Sequence, residues 1–289
     1  MLRRLVVVCL GVALCLGAGA CRKGTGEAAP APGVQPAPSA DAEAAPGNGK
    51  ALTVFAGSAS MPALEELAGN YEQRYGAKVD ITSGGSGSVL TQFSQEQFGD
   101  VYIPGSDDFM DKAEAKDAVV KDTRTVLVYL IPAICVAKGN PKKVKAVADF
   151  AREDIRVVIG EPKAVCLGDI GKWILEETDL WSKVEPRIAS YGGSCEDTLN
   201  KLLLGEADAI IGWDVFAKQQ SDKIEAIDLP LELSGTRNIP AAVIKWSEQP
   251  EEAQALIDFL ASDEAKGIWA KHGYALEDPS RGMALGGGV

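Results

Sequence analysis

The chain has 289 residues, 46% hydrophobic and 24% charged, a globular composition too long for one small module. Asp and Glu number 41 against 29 Lys and Arg, a formal net charge of -12, which excludes nucleic acid and anionic membrane surfaces as principal partners. The single histidine, His272, removes two-His zinc sites and any triad whose histidine lies elsewhere, and with them most hydrolase and metalloenzyme chemistry.

Residues 1–21 open with Arg3 and Arg4, run through an apolar stretch at 5–16, and close on Gly17-Ala18-Gly19-Ala20 before Cys21. This reads as a secretory signal. Its apolar core falls well short of the roughly 20 residues of a permanent bilayer span. A cysteine directly after small residues resembles a bacterial lipobox, which implies cleavage before Cys21, lipidation of its thiol, and a protein held by lipid at a bacterial membrane, in the periplasm or on the cell surface. Ala18 stands where lipoboxes usually carry Leu, and a plain signal cut near Ala20 is the alternative. Residues 22–50, rich in Ala, Pro and Gly, read as a disordered tether, able to span roughly 90 Å if stiffened by proline. Residues 279–289, with Gly286-Gly287-Gly288, read as a loose tail.

Between these flanks strands and helices alternate. A β-rich run at 52–55 leads into Gly57-Ser58-Ala59-Ser60, and Pro62 opens a helix with Leu64, Leu67, Tyr71 and Tyr75 on one face, closed by Gly76. A second strand, 78–82, leads through 84–88 into a helix carrying Leu90, Phe93 and Phe98. A third, 101–103, precedes the turn Gly105-Ser106-Asp107 and a helix through Met110 and Ala113. The apolar run 126–136, interrupted by Pro132, suits a strand crossing between lobes. The second half continues with strands at 156–159, 188–191 and 209–211, helices at 168–177 and 195–204, a strand at 239–246, and helices at 250–259 and 263–269. The spacing predicts parallel, doubly wound α/β sheets in two lobes of similar size.

Three strand-to-helix junctions are rich in Ser and Gly: 57–60, 84–88 and 192–195. In doubly wound sheets ligands bind at the carboxyl ends of strands, where helix N-termini offer unpaired N–H groups and the positive dipole end. Glycine lets the backbone approach closely and serine adds a neutral hydroxyl, so an oxyanion can be enclosed without a cation, even on a protein of net charge -12. Any one junction is explained as a tight turn with a Ser cap; three on both halves of the chain point to a site.

Phe55-Ala56-Gly57-Ser58-Ala59-Ser60, Gly85-Ser86-Gly87-Ser88-Val89-Leu90, Gly99-Asp100-Val101, Val136-Ala137-Lys138-Gly139-Asn140-Pro141, Gly160-Glu161-Pro162 and Gly205-Glu206-Ala207-Asp208-Ala209 resemble, in order and spacing, the molybdate-binding proteins of bacterial ABC importers. The resemblance runs from Ala51 to Tyr274. It implies a two-lobed periplasmic-binding-protein fold (type II), each lobe a doubly wound sheet and the two joined by a two-strand hinge. Lobe I would combine 51–132 with 238–278, and lobe II would hold 133–237. It further implies a monomer, without catalytic activity or cofactor, that closes on molybdate or tungstate and delivers it to an ABC permease in the inner membrane. Carried over by position, lobe I would bind the anion through Ser58, Ala59 and Ser60 and through Ser86, Gly87 and Ser88; lobe II would use the backbone around Cys166 and Leu167, together with Cys195. The family's tyrosine falls on Trp213, whose indole N–H donates but cannot accept.

With Cys9 and Cys15 in the signal and Cys21 lipidated, Cys135, Cys166 and Cys195 remain. Cys166 and Cys195 both map beside the anion site that the resemblance implies, so a disulfide between them is expected in an oxidising envelope; free thiols for a soft metal, or small buried side chains, are the alternatives. Cys135, inside an apolar run, reads as core. Asp214 supports the pocket wall at most, Asp107-Asp108 and Glu65-Glu66 read as helix N-terminal charges, and His272 caps the last helix. A binder of phosphate, sulfate or a phosphonate, and a thiol-dependent enzyme or metal-binding protein on the same fold, stay open.

Overall fold

The computed structural model describes residues 51–279. The expected signal, the lipidation site Cys21, the tether, and all but the first residue of the tail lie outside them. Among the described residues no helix is long and apolar enough to cross a membrane.

Strand β1 (Leu52–Gly57) buries Leu52, Val54, Phe55 and Ala56, so both of its faces are covered, as a central parallel strand requires. A one-turn 3-10 segment, Ser58–Ser60, leads into α1 (Met61–Tyr75), with Pro62 in its first turn and Ala63, Leu64, Leu67, Ala68 and Tyr71 buried on one face. Gly76 ends α1 at φ 70°, a left-handed position that glycine adopts without strain. There follow β2 (Val79–Gly84), α2 (Ser86–Glu96), β3 (Val101–Ile103), α3 (Asp107–Ala115) and β4 (Thr125–Leu130). The chain then crosses to the second lobe, built from β5 (Pro132–Ala137), β6 (Val157–Gly160), α4 (Cys166–Glu177), α5 (Trp181–Val184), β7 (Ile188–Gly192), α6 (Cys195–Leu203), β8 (Ala209–Trp213), α7 (Asp214–Gln219) and β9 (Ile224–Asp228). It returns through α8 (Leu231–Ser234) to β10 (Arg237–Val243), α9 (Pro250–Ala261) and α10 (Asp263–Lys271).

Each lobe is a five-stranded sheet, in the order β2-β1-β3-β10-β4 in lobe I and β7-β6-β8-β5-β9 in lobe II. Strand β1 runs parallel to β2 and β3, and β6 parallel to β7 and β8, which is the doubly wound core. The sheets are mixed rather than parallel throughout: β10 is antiparallel to β3 and β4, and β5 antiparallel to β8 and β9. The crossings account for this, because β5 and β10 each enter their sheet from the other lobe. Sheet membership changes at Ile131, inside the apolar run, so Pro132 already belongs to the second sheet; it changes back between Asp228 and Arg237, so Arg237 already belongs to the first. Strand β10 ends at Val243, short of Trp246. Helix α2 stops at Glu96, where Gln97 takes φ 50°, and leaves Phe98 exposed rather than in the core.

Asp214 sits at the first crossing. Its N–H donates to the Ile131 carbonyl at 2.9 Å, and its Oδ1 accepts the Ile131 N–H at 3.1 Å. His272 closes α10 onto α1, its Nε2 being 2.7 Å from Glu66 Oε2, and Lys271 Nζ donates to the same carboxylate. Hydrogen bonds to these two side chains, Lys271 first, hold the Glu66 carboxyl below the usual range.

Candidate functional site

The helices that follow β1, β2, β6 and β7 all begin at the seam between the lobes. The 3-10 turn before α1 carries Ser58, Ala59 and Ser60, all buried. Ser58 Oγ reaches across and accepts the Glu196 N–H of α6 at 3.1 Å. Ser60 Oγ turns back into its own loop, donating to the Gly57 carbonyl at 3.0 Å. At the start of α2, Ser86 is 1% exposed, and its Oγ accepts the Gly105 N–H at 3.0 Å while its carbonyl accepts the Tyr102 hydroxyl at 2.9 Å. Gly87 donates its N–H to the Ala164 carbonyl of lobe II at 2.9 Å. Ser88, two residues on, is exposed and stands outside the group.

Glycine is needed at Gly85 and Gly87 for a reason visible in the distances. A Cβ at Gly85 would lie 2.5 Å from the Ala164 carbonyl oxygen and 2.8 Å from that of Gly193, and one at Gly87 would lie 2.4 Å from the Lys163 carbonyl oxygen. Each of these neighbours belongs to the opposite lobe. The lobes therefore close only because these positions lack side chains.

From lobe II, Cys166 and Cys195 open α4 and α6, 1% and 2% exposed. Their sulfurs are 3.3 Å apart, and in the structure both are free thiols rather than the expected disulfide. Ser86 Oγ and Cys166 Sγ both stand against Gly105, 3.5 Å and 2.9 Å from where its Cβ would lie, and the Leu167 backbone N–H is within electrostatic reach of both sulfurs. Ser194 spends its hydroxyl capping α6, accepting the Asp197 N–H at 3.0 Å. Trp213, fully buried at the end of β8, presents an indole Nε1–H that finds no hydrogen-bond acceptor of standard geometry and faces Cys195. The Cys195 thiol is held below its usual pKa by the Cys166 thiol first, then by the Trp213 and Leu167 donors, whereas its hydrogen bond to Cys195 and its burial push Cys166 up. Cys135 lies apart in the core, its Sγ 3.6 Å from the Trp213 carbonyl and its pKa raised to about 12 by burial.

The structure thus brings together Ser58, Ala59, Ser60, Ser86, Gly87, Cys166, Leu167, Cys195 and Trp213, and excludes Ser88. None of these is charged. The arrangement offers hydroxyls, amides, an indole N–H and helix N-termini from both lobes, a donor set suited to an anion and without an obvious base for catalysis. Beside it, a cleft of about 290 Å³ at the mouth of the seam is lined by Ser58, Met61, Glu65, Ser83, Glu196 and Gln219 among others.

Sequence reasoning missed Tyr274. Its hydroxyl donates to the Ala59 carbonyl, and the ring is 4% exposed, with burial raising its pKa and Cys195 within electrostatic reach. Gly273, at φ 90°, turns the chain out of α10 ahead of it, a direction the sequence does not reveal. Asp214 holds the hinge backbone rather than a pocket wall.

Two lobes crossed twice by the chain, with neutral donors facing one another across the seam, define a two-lobed binding protein. The sequence profile of bacterial extracellular solute-binding proteins matches residues 52–275, and the chain belongs to that family. Among curated relatives, the molybdate-binding protein ModA of Mycobacterium tuberculosis is 28% identical, over 78% of this chain and 85% of its own. YvgL of Bacillus subtilis, named as a candidate ABC transporter substrate-binding lipoprotein, is 27% identical over 78% and 86%. Among solved structures, the Azotobacter vinelandii periplasmic molybdate-binding protein superposes with TM-score 0.67 at 21% identity, covering 78% of this chain and 99% of its own. The sulfate-binding protein SubI of M. tuberculosis gives 0.68 at 16%, covering 82% and 90%. Both share the fold. These relatives are binding proteins, not enzymes.

Proposed function

We propose that the chain captures a tetrahedral oxyanion, molybdate or tungstate, between its lobes and delivers it to the permease of an ABC importer, working as a monomer held at the membrane by a lipid on Cys21. The observation that carries this reading is the meeting of uncharged donors from α2, α4, α6 and the turn before α1 at one buried seam. Helix N-termini and amides supply the positive field that a protein of net charge -12 lacks elsewhere. The hydroxyls of Ser58 and Ser86 and the amides around Cys166, Leu167 and Cys195 are the ligands on this reading, and the Trp213 N–H takes the place of an aromatic hydroxyl. The ModA relatives support the same anion. An anion that touches both lobes favours the closed form by its differential contacts with it.

The test is calorimetry and thermal unfolding with molybdate, tungstate, sulfate and phosphate. At a hundredfold excess over its dissociation constant a true ligand adds about 2.7 kcal/mol, enough to raise the melting temperature by several degrees. Response to molybdate and tungstate with sulfate inert supports the proposal; a response to sulfate or phosphate alone reassigns the anion.

A further inference from the structure

Cys166 and Cys195 occupy the first positions of two helices that aim at the same point, and their sulfurs, 3.3 Å apart, need to come only about 1 Å closer to bond. A Cβ on Gly105 of lobe I would lie 2.9 Å from Cys166 Sγ, so the pair abuts the opposite lobe and is reached from the cleft when the lobes part. Around it stand the donors of the anion site: the Ser86 hydroxyl, the Leu167 N–H, and the buried Trp213 Nε1–H, which has no hydrogen-bond partner.

We propose that Cys166 and Cys195 are a redox-modified pair that gates the oxyanion site, the disulfide being the binding form and the dithiol the weak one. This rests on the oxyanion reading above. In the dithiol two buried sulfurs 3.3 Å apart fill the point at which the two helix N-termini aim, and the nearby donors act on Cys195 in the sense that lowers its pKa. The Cys195 sulfur so placed competes with an oxyanion for those donors, and any thiolate formed there adds a negative charge to the pocket. Oxidation removes both effects, because a disulfide cannot ionise and accepts hydrogen bonds only weakly, which leaves the Leu167 and Trp213 N–H groups to the ligand. The step is a thiol–disulfide exchange with a small disulfide as oxidant. The Cys195 thiolate attacks one sulfur of that disulfide and expels the other as thiolate; the Cys166 thiol, losing its proton, then displaces the second half. One Cys166–Cys195 bond forms, one oxidant S–S bond breaks, two electrons pass to the oxidant, and it leaves as two thiols.

The experiment treats the purified protein with oxidised glutathione or with a phosphine reductant, then measures intact mass, maps the disulfide by peptide mass, and titrates each form with molybdate, tungstate and sulfate by calorimetry. The expected result is loss of two hydrogens on oxidation, a bridge confined to Cys166 and Cys195 with Cys135 still a thiol, and at least about tenfold tighter oxyanion binding in the oxidised form. Cys166→Ala should bind with one affinity under both conditions. If the pair stays reduced under excess oxidised glutathione, or if both forms bind equally, the gating is wrong while the oxyanion reading stands. If neither form binds any oxyanion, the oxyanion reading falls and takes the gating with it.

Discussion

At the scale of single residues, Trp213 concentrates the question of what the site holds. Its ring fills the base of lobe II with no exposure, and its one polar atom faces the thiol pair without an acceptor of standard geometry. A buried N–H left unpaired costs free energy, and a site that hydrogen-bonds an anion through it recovers that cost. Trp213→Phe keeps an aromatic ring there and removes the donor. A hydrogen bond to a charged group is worth about 1.5–3 kcal/mol, so oxyanion affinity measured by calorimetry should fall by about ten- to a hundredfold. An unchanged affinity would show that the indole N–H does not touch the ligand. Trp213 was legible only through the family resemblance, which sets it where the family has a tyrosine. Tyr274 was not, because its place depends on Gly273 turning the chain back after α10, and a single glycine carries no direction in the sequence.

At the scale of elements, the strand-to-helix junctions were readable because glycine and serine mark where a strand gives way to a helix N-terminus. Strand direction was not readable. The apolar runs of β5 and β10 look like those of parallel strands, yet both are antiparallel to their neighbours because each enters its sheet from the other lobe. Strand β9 escaped for a related reason: Ile224–Asp228 carries charges at both Glu225 and Asp228, and as an edge strand pairing only with β5 it needs no continuous apolar run. Ser88 stands apart from the buried group because a helix has a period, which exposes its position on α2 while Ser86 is buried at the seam. The same geometry gives the junction glycines a measurable role. In Gly85→Ala the new methyl would meet the Ala164 and Gly193 carbonyls of the opposite lobe, a clash that exists only when the lobes are closed. Gly85 itself has φ -65° and ψ 137°, which alanine adopts freely. The variant should fold with near-normal melting temperature without ligand and lose at least about tenfold in oxyanion affinity, since apparent affinity scales with the population of the closed form. A variant that binds normally would show that the closed contacts seen here are not those of the bound state.

At the scale of the whole molecule, the crossings that divide the lobes are tied by short polar links, and the distribution of carboxylates sets how the fold responds to acid. Asp208 accepts from the Arg156 guanidinium at 2.8 Å and 3.1 Å and from the Arg156 N–H at 2.9 Å, joining the turn before β8 to the residue that leads into β6. Asp149 accepts the N–H groups of Lys145 at 2.7 Å and Ala146 at 3.2 Å. Arg156 in the first case, and the Lys145 amide in the second, hold these carboxyls below the usual range. Their folded pKa is therefore lower than in the unfolded chain, where Asp titrates near ~3.9. The unfolded state takes up the proton first as pH falls, so the stability these groups contribute is complete above the unfolded value and is lost as pH drops through the folded one. Asp107 works in the opposite sense: burial, with Asp108 beside it, raises its pKa, so deprotonating it as pH rises slightly favours unfolding. Asp149 and Asp208 lie in lobe II; lobe I carries both senses, with Glu66 depressed in α1 and Asp107 raised at the start of α3. Asp208→Asn should accordingly flatten the fall in urea-unfolding free energy below pH ~4, while leaving the slope near neutral pH unchanged. An acid limb as steep as that of the unsubstituted protein would show that the Arg156 pair does not couple protonation to folding.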